Sequence, residues 1–163
     1  MLIGIIDLHR RDQMNLKTKI LFLSLFLSTS VLAIDLTLNI SNIEKLEGTL
    51  KISLTDKAEG FPGNTDNAIR EEIVAVDKNE MQVTFFNLEQ GEYAVSLFHD
   101  VNDDGKLNLR RLGIGRIRFG PQILPDEPIG FSNNPRIRSK PKYEDCKFKM
   151  SGNRTFEIQL QKL

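Results

Sequence analysis

The chain has 163 residues, 27% of them charged and 40% hydrophobic, with 22 basic side chains, 22 acidic ones and one cysteine. That length fits a single domain, and the composition argues against a disordered chain. A lone cysteine excludes an internal disulfide.

The first distinct segment is MNLKTKILFLSLFLSTSVLA, Met14 to Ala33. Lys17 and Lys19 form a short basic front, an apolar stretch starts at Ile20, and Val31 and Ala33 put small residues where a signal peptidase reads. The run is too short and too serine-rich for a comfortable membrane span, which needs roughly 20 mostly apolar residues. An uncleaved anchor is the competing reading; no cysteine follows the run, so a lipidated anchor is not expected. We therefore expect residues 1–33 to be an N-terminal extension plus a secretory signal peptide, with Met14 as the true start. Residues 34–163 are expected to form one exported domain, periplasmic or secreted, with no stable membrane span after cleavage. That domain carries 18 Lys and Arg against 20 Asp and Glu.

The strands then follow in chain order. IDLTLNI alternates Ile34, Leu36, Leu38 and Ile40 with polar residues, and GTLKISL does the same with Leu50, Ile52 and Leu54. AIREEIVAV, Ala68 to Val76, is ambiguous between helix and strand, with Ile73, Val74 and Val76 favouring strand at its end. EMQVTFF aligns Met81, Val83 and Phe85; EYAVSLF aligns Tyr93, Val95 and Leu97; CKFKM aligns Cys146, Phe148 and Met150; TFEIQL aligns Phe156, Ile158 and Leu160. Period two gives each strand one buried and one solvated face. The pattern predicts an all-β fold, an antiparallel β-sandwich of about seven strands, immunoglobulin-like or transthyretin-like.

From Gly105 to Lys142 the alternation lapses into a long irregular connection rich in Gly, Pro and Arg, a kind of segment that is usually functional. Lys106, Arg110, Arg111, Arg116, Arg118, Arg136, Arg138, Lys140 and Lys142 face only Asp126 and Glu127 there, a local charge of +7. Within it, RIRSKPK spaces Arg136, Arg138, Lys140 and Lys142 at every second residue. Extended, all four point one way. They read either as an edge strand guarded by charge or as a surface for an anionic envelope polymer. Export argues against nucleic acid as the ligand.

HDVNDDGKLN, His99 to Asn108, carries the most specific spacing. With Asp100 as position one, Asn102 is three, Asp104 five, Gly105 six, the Lys106 carbonyl seven, Leu107 an apolar eight and Asn108 nine. This is the front half of an EF-hand-type Ca²⁺ loop: alternate residues turn oxygens to one centre and glycine permits the bend. Position twelve is Arg111 rather than a bidentate Glu, which excludes a full EF-hand. Glu127, or carbonyls of GFSNN, are the obvious donors to complete a half-site. The competing reading is a turn whose Asx side chains bond their own backbone.

His99 beside Asp100 raises acid–base chemistry. No nucleophile with a recognisable local motif accompanies it, so we assign no catalytic residue and read His99 as orienting a loop. Cys146 reads as a small buried hydrophobe rather than a reactive thiol.

LEQGEYAVSLFHDVNDDGKLN, followed by PDEPIGFSNNP and PKYEDCKF, resembles the bacterial exported family known as domain of unknown function 2141. The matching residues are Gly91, Tyr93 to Val95, Phe98 to Asp100, Asn102, Gly105 to Leu107, Pro125, Glu127 and Gly130 to Asn134. The chain departs from that pattern at Asn108, where the family has aspartate, at Cys146, where it has alanine, and by an insertion of roughly ten residues near Gly113 to Leu124, which is cheap in a surface loop. The resemblance implies export and a β-sandwich, and no activity. The GEYAV strand entry is also similar to transthyretin-like and carboxypeptidase-regulatory-like sandwiches, at the level of fold alone.

The sequence thus predicts a binding or structural module of the cell envelope. It has a candidate Ca²⁺ loop at Asp100, Asn102, Asp104, Lys106, Asn108 and Glu127, and a basic surface at Arg136, Arg138, Lys140 and Lys142. The alternative is an envelope-directed hydrolase using His99, Asp100 and Glu127.

Overall fold

The computed structural model describes residues 33–63, 65–111 and 123–163. The expected start and signal segment, and most of the expected insertion with Arg116 and Arg118, lie outside the described residues. The elements run β1 (Ile34–Ser41), β2 (Thr49–Thr55), β3 (Arg70–Ala75), β4 (Met81–Leu88), β5 (Gly91–Asp100), β6 (Leu109–Arg111), β7 (Ile123–Pro125), β8 (Ile129–Phe131), α1 (Tyr143–Cys146), β9 (Phe148–Met150) and β10 (Arg154–Gln159). Every segment read as a strand contains one. The ambiguous AIREEIVAV is strand, turning Val74 and Val76 inward and leaving Ile73 exposed. The three further strands, β6 to β8, all lie in the stretch expected to be irregular.

The fold is predominantly β, in open and mostly antiparallel sheets. One sheet orders β3-β2-β5-β8 with β9 also on β5; a second orders β10-β1-β4; β6 and β7 form a separate ribbon. The β1–β10 ladder is parallel, against the antiparallel expectation. The alternating apolar residues of β1, β2, β4, β5 and β10 join one hydrophobic cluster with Phe148 and Met150 of β9. Leu36, Leu38, Leu50, Leu54, Val95 and Ile158 are fully buried in it. Each such side chain stabilises the fold by roughly 1.5–3 kcal/mol relative to exposure.

Cys146 does not share a strand face with Phe148 and Met150, as its spacing implied. Tyr143 to Cys146 form a single helical turn, closed by the Lys147 N–H donating to the Tyr143 carbonyl at 2.8 Å. The turn rotates Cys146 into a second cluster with Ala94, Ile129, Phe131 and Tyr143. The thiol is buried there, as expected, and burial reinforced by Asp145 pushes its pKa up to about 12.

β8 and β9 line the same edge of β5, opposite its C-terminal and N-terminal halves. The step between them is bridged by Ser132, whose Oγ accepts from the Val95 N–H at 2.9 Å and donates to the Cys146 carbonyl at 2.7 Å. Asn133 follows, its amide donating to the Lys147 carbonyl at 3.0 Å. Asn134 completes the run: it donates to the Glu157 carbonyl at 2.7 Å and accepts from the Gln159 N–H at 2.9 Å, standing in for a neighbouring strand on β10. Both asparagines adopt the left-handed backbone that this residue type tolerates, with φ of 63° and 44°.

Candidate functional site

β5 carries His99 and Asp100 to the mouth of the loop, and both are buried. Asp100 accepts the Asp104 N–H on Oδ1 at 3.1 Å and the Gly105 N–H on Oδ2 at 2.8 Å. The Lys51 ammonium lies 3.7 Å from Oδ2, offsetting part of the cost of burying the charge. Gly105 turns at φ 84°, a conformation that favours glycine.

Glu127, 26 residues beyond Val101, holds the ends of the same loop. Its Oε1 accepts the Val101 N–H at 3.1 Å and its Oε2 the Asn108 N–H at 3.0 Å. The Asn108 carbonyl accepts in turn from the Asp126 N–H at 2.8 Å. At the exposed tip, Asp104 accepts the Lys106 N–H on Oδ1 at 2.9 Å, and the amides of Asn102 and Asn108 on Oδ2 at 3.0 and 3.2 Å. Those bonds, the one from Asn102 foremost, lower the Asp104 pKa. The start of β2 closes in from one side: Thr49 Oγ1 donates to Asp103 Oδ1 at 3.0 Å.

The loop therefore brings Asp100, Asn102, Asp104, Asn108 and Glu127 into one hydrogen-bonded unit. Lys106 joins it through its N–H rather than its carbonyl. The two buried carboxylates already serve two backbone N–H groups each. Among the described residues no three His, Cys, Asp or Glu side chains are grouped to hold a metal ion. Leu107, at the position where an EF-hand-type loop turns an apolar side chain into the core, is 37% exposed. Of the candidate ligands, the side-chain oxygens that remain accessible are those of Asn102, Asp104 and Asn108. In GFSNN, the Ser132 side chain bonds Val95 and Cys146, the Asn133 amide bonds the Asp145 and Lys147 carbonyls, and Asn134 bonds Glu157 and Gln159, so these side chains serve the strands and the helical turn.

The His99 Nε2–H donates to the Glu47 carbonyl at 2.7 Å, so the ring ties the β1–β2 turn to β5. No hydrogen bond links His99, Asp100 and Glu127 to one another. His99 and Glu127 border a depression of about 230 Å³, which Asp100 does not line.

Arg136, Arg138, Lys140 and Lys142 lie in an irregular segment rather than a strand, which removes the edge-strand reading. All four are exposed, and none makes an ion pair among the described residues. Ile137 packs onto the Phe131–Tyr143–Cys146 cluster and holds the segment down between its two arginines. Spacing exposed the charges to sequence reading. The apolar anchor between them, like the Glu127 bonds, had no local signal.

A family model described as "Uncharacterized protein conserved in bacteria (DUF2141)" matches residues 38–159, most of the chain. The chain belongs to this family. The match runs from the middle of β1 to the end of β10 and so includes the Asp100–Asn108 loop, Glu127 and the Ser132–Asn134 bridge. Comparison with curated proteins and with solved structures finds no match. No helix among the described residues is long and apolar enough to cross a membrane.

Proposed function

We propose that this DUF2141 member is an exported β-sandwich that binds an anionic polymer of the cell envelope through Arg136, Arg138, Lys140 and Lys142. The observation that carries the reading is the exposure of four cations with no ion pair among the described residues, on a segment pinned at Ile137. Alternate residues of both main sheets share one core, which supports face-to-face packing of the sheets. The hydrolase alternative lacks a wired acid–base pair: the side chains it needs are spent on backbone N–H and carbonyl groups. The experiment is retention on an immobilised anionic polysaccharide across a salt gradient. Wild type should be retained and elute as rising salt screens the surface. Replacing the four cations by Gln should abolish retention; unchanged retention of that variant rejects the surface.

A second reading is a weak Ca²⁺ site at the loop tip. What favours it is the convergence of Asn102 and Asn108 on Asp104. Rotation of the two amides would turn three side-chain oxygens toward a common point, the hard-donor chemistry Ca²⁺ takes.

A further inference from the structure

The β6–β7 ribbon pairs Leu109 with Pro125, Arg110 with Leu124 and Arg111 with Ile123. Strand residues alternate between faces, so Leu109, Arg111, Ile123 and Pro125 share one face and Arg110 and Leu124 the other. The second face is fastened to the body: the Arg110 guanidinium reaches Asp126 and donates to the carbonyl of Leu163. Among the described residues nothing covers the first face. Leu109 is 60% exposed and Ile123 55%, and Arg111, also exposed, makes no ion pair among the described residues.

Single exposed aliphatics are ordinary on a protein surface. Two of them flanking a guanidinium with no ion pair among the described residues, on a ribbon whose other side is tied down, form a distinct chemical pattern. Aliphatic side chains gain by entering the boundary between headgroups and acyl chains, and a cation beside them is drawn to anionic headgroups. The guanidinium selects a partner of opposite charge, and a lipid surface also accepts the aliphatics without a shaped pocket. We propose that the Leu109–Arg111–Ile123 face of the ribbon docks on an anionic lipid surface, the aliphatics entering the acyl boundary and Arg111 pairing with lipid phosphate. The face shares no residue with the basic segment assigned to polymer.

The test is flotation with phosphatidylglycerol vesicles and, in parallel, phosphatidylcholine vesicles, with wild type and variants in the same N-terminal form. Wild type should partition onto phosphatidylglycerol in preference to phosphatidylcholine, and less so in high salt. Leu109→Ser with Ile123→Ser should lower partition about tenfold or more. Arg111→Gln should lower it roughly fivefold, as expected for one cation near an anionic surface. The variant with Gln at positions 136, 138, 140 and 142 should keep its dependence on Leu109 and Ile123, which separates this surface from the polymer surface. All these side chains are exposed, and unchanged melting confirms that the variants fold. Equal partition of wild type and the Ser variant overturns the proposal. So does sedimentation showing a wild-type dimer that the Ser variant dissociates, because a second copy then covers the face.

Discussion

A Cβ placed on Gly48 would fall 2.0 Å from the carbonyl oxygen of Asp100. The β1–β2 turn therefore rests directly on the end of β5. Gly48 also holds φ 73°, so a side chain there is strained as well as obstructed. The obstruction is backbone, which does not swing aside. Gly48→Ala should destabilise the fold by on the order of 3–5 kcal/mol, in the range reserved for backbone conflicts. Thermal unfolding measures it; a melting temperature within a degree of wild type would show that the turn and the strand end separate without cost.

Glu127 accepts one backbone N–H on each carboxylate oxygen, a task an amide cannot perform. Glu127→Gln turns an NH₂ group toward either Val101 or Asn108 and leaves that N–H without its acceptor. A buried donor left unsatisfied costs about 1–3 kcal/mol. Urea unfolding should report that loss, and hydrogen exchange should accelerate at the Val101 and Asn108 amides first. If both amides exchange as in wild type, the carboxylate does not close the loop.

Cys146 makes an alkaline prediction. Burial foremost, with Asp145 adding to it, holds the folded thiol near a pKa of about 12, against an ordinary value of 9.0. Between those values the unfolded chain has lost a proton that the native chain retains, so stability falls as pH rises through that window and the group costs nothing below it. The slope from one group is at most about 1.4 kcal/mol per pH unit. Cys146→Ala should remove that component while leaving neutral stability nearly unchanged. The native thiol should also resist thiol reagents until the chain is unfolded; a fast native reaction contradicts its burial.

On the Ca²⁺ reading, the site is weak, because Arg111 and Asn108 stand where acids would strengthen it. Extracellular modules of this kind have dissociation constants of about 10⁻⁴ to 10⁻³ M. About ten times that concentration stabilises by on the order of 1.4 kcal/mol. Chelator-treated protein should then melt roughly 3 to 6 °C higher in excess Ca²⁺. Mg²⁺ should do less, and Asp104→Ala should erase the response. Identical melting with chelator and with excess Ca²⁺ leaves the loop as a turn that hydrogen bonds hold by themselves.

What was legible in the sequence follows from the range of each signal. The alternation of Ile34, Leu36, Leu38 and Ile40 is complete within seven residues, so β1 could be read directly. The three-residue strand Ile123–Pro125 has no alternating apolar residues, whereas Phe148 and Met150 alternate within CKFKM, so β9 was read and β7 was not. Cys146 was legible as buried but not as helical, because the apolar spacing to Phe148 and Met150 imitates a strand across a turn that ends between them. In the loop, the Asp and Asn positions were plain. The use of their oxygens was not, since Glu127 arrives from 26 residues away from Val101. The same holds for Asn134, which reads as a turn residue and serves as a surrogate strand on β10.

The parallel ladder joins the first described strand to the last: Leu36 lies opposite Arg154 and Ser41 opposite Gln159. β1 is the middle strand of its sheet, yet a ribosome makes it more than a hundred residues before the partner on that flank. Until those residues emerge, one side of β1 has nothing to pair with. Closure of this sheet is thus a late event in the life of the nascent chain, set by the arrival of its final strand, and long-range pairing of this kind makes folding slow. A chain stopped after Asn153 would keep β1 and β4 while presenting the core side chains Leu36, Leu38 and Ile40 along an uncapped flank, the kind of exposed strand that templates association with other chains.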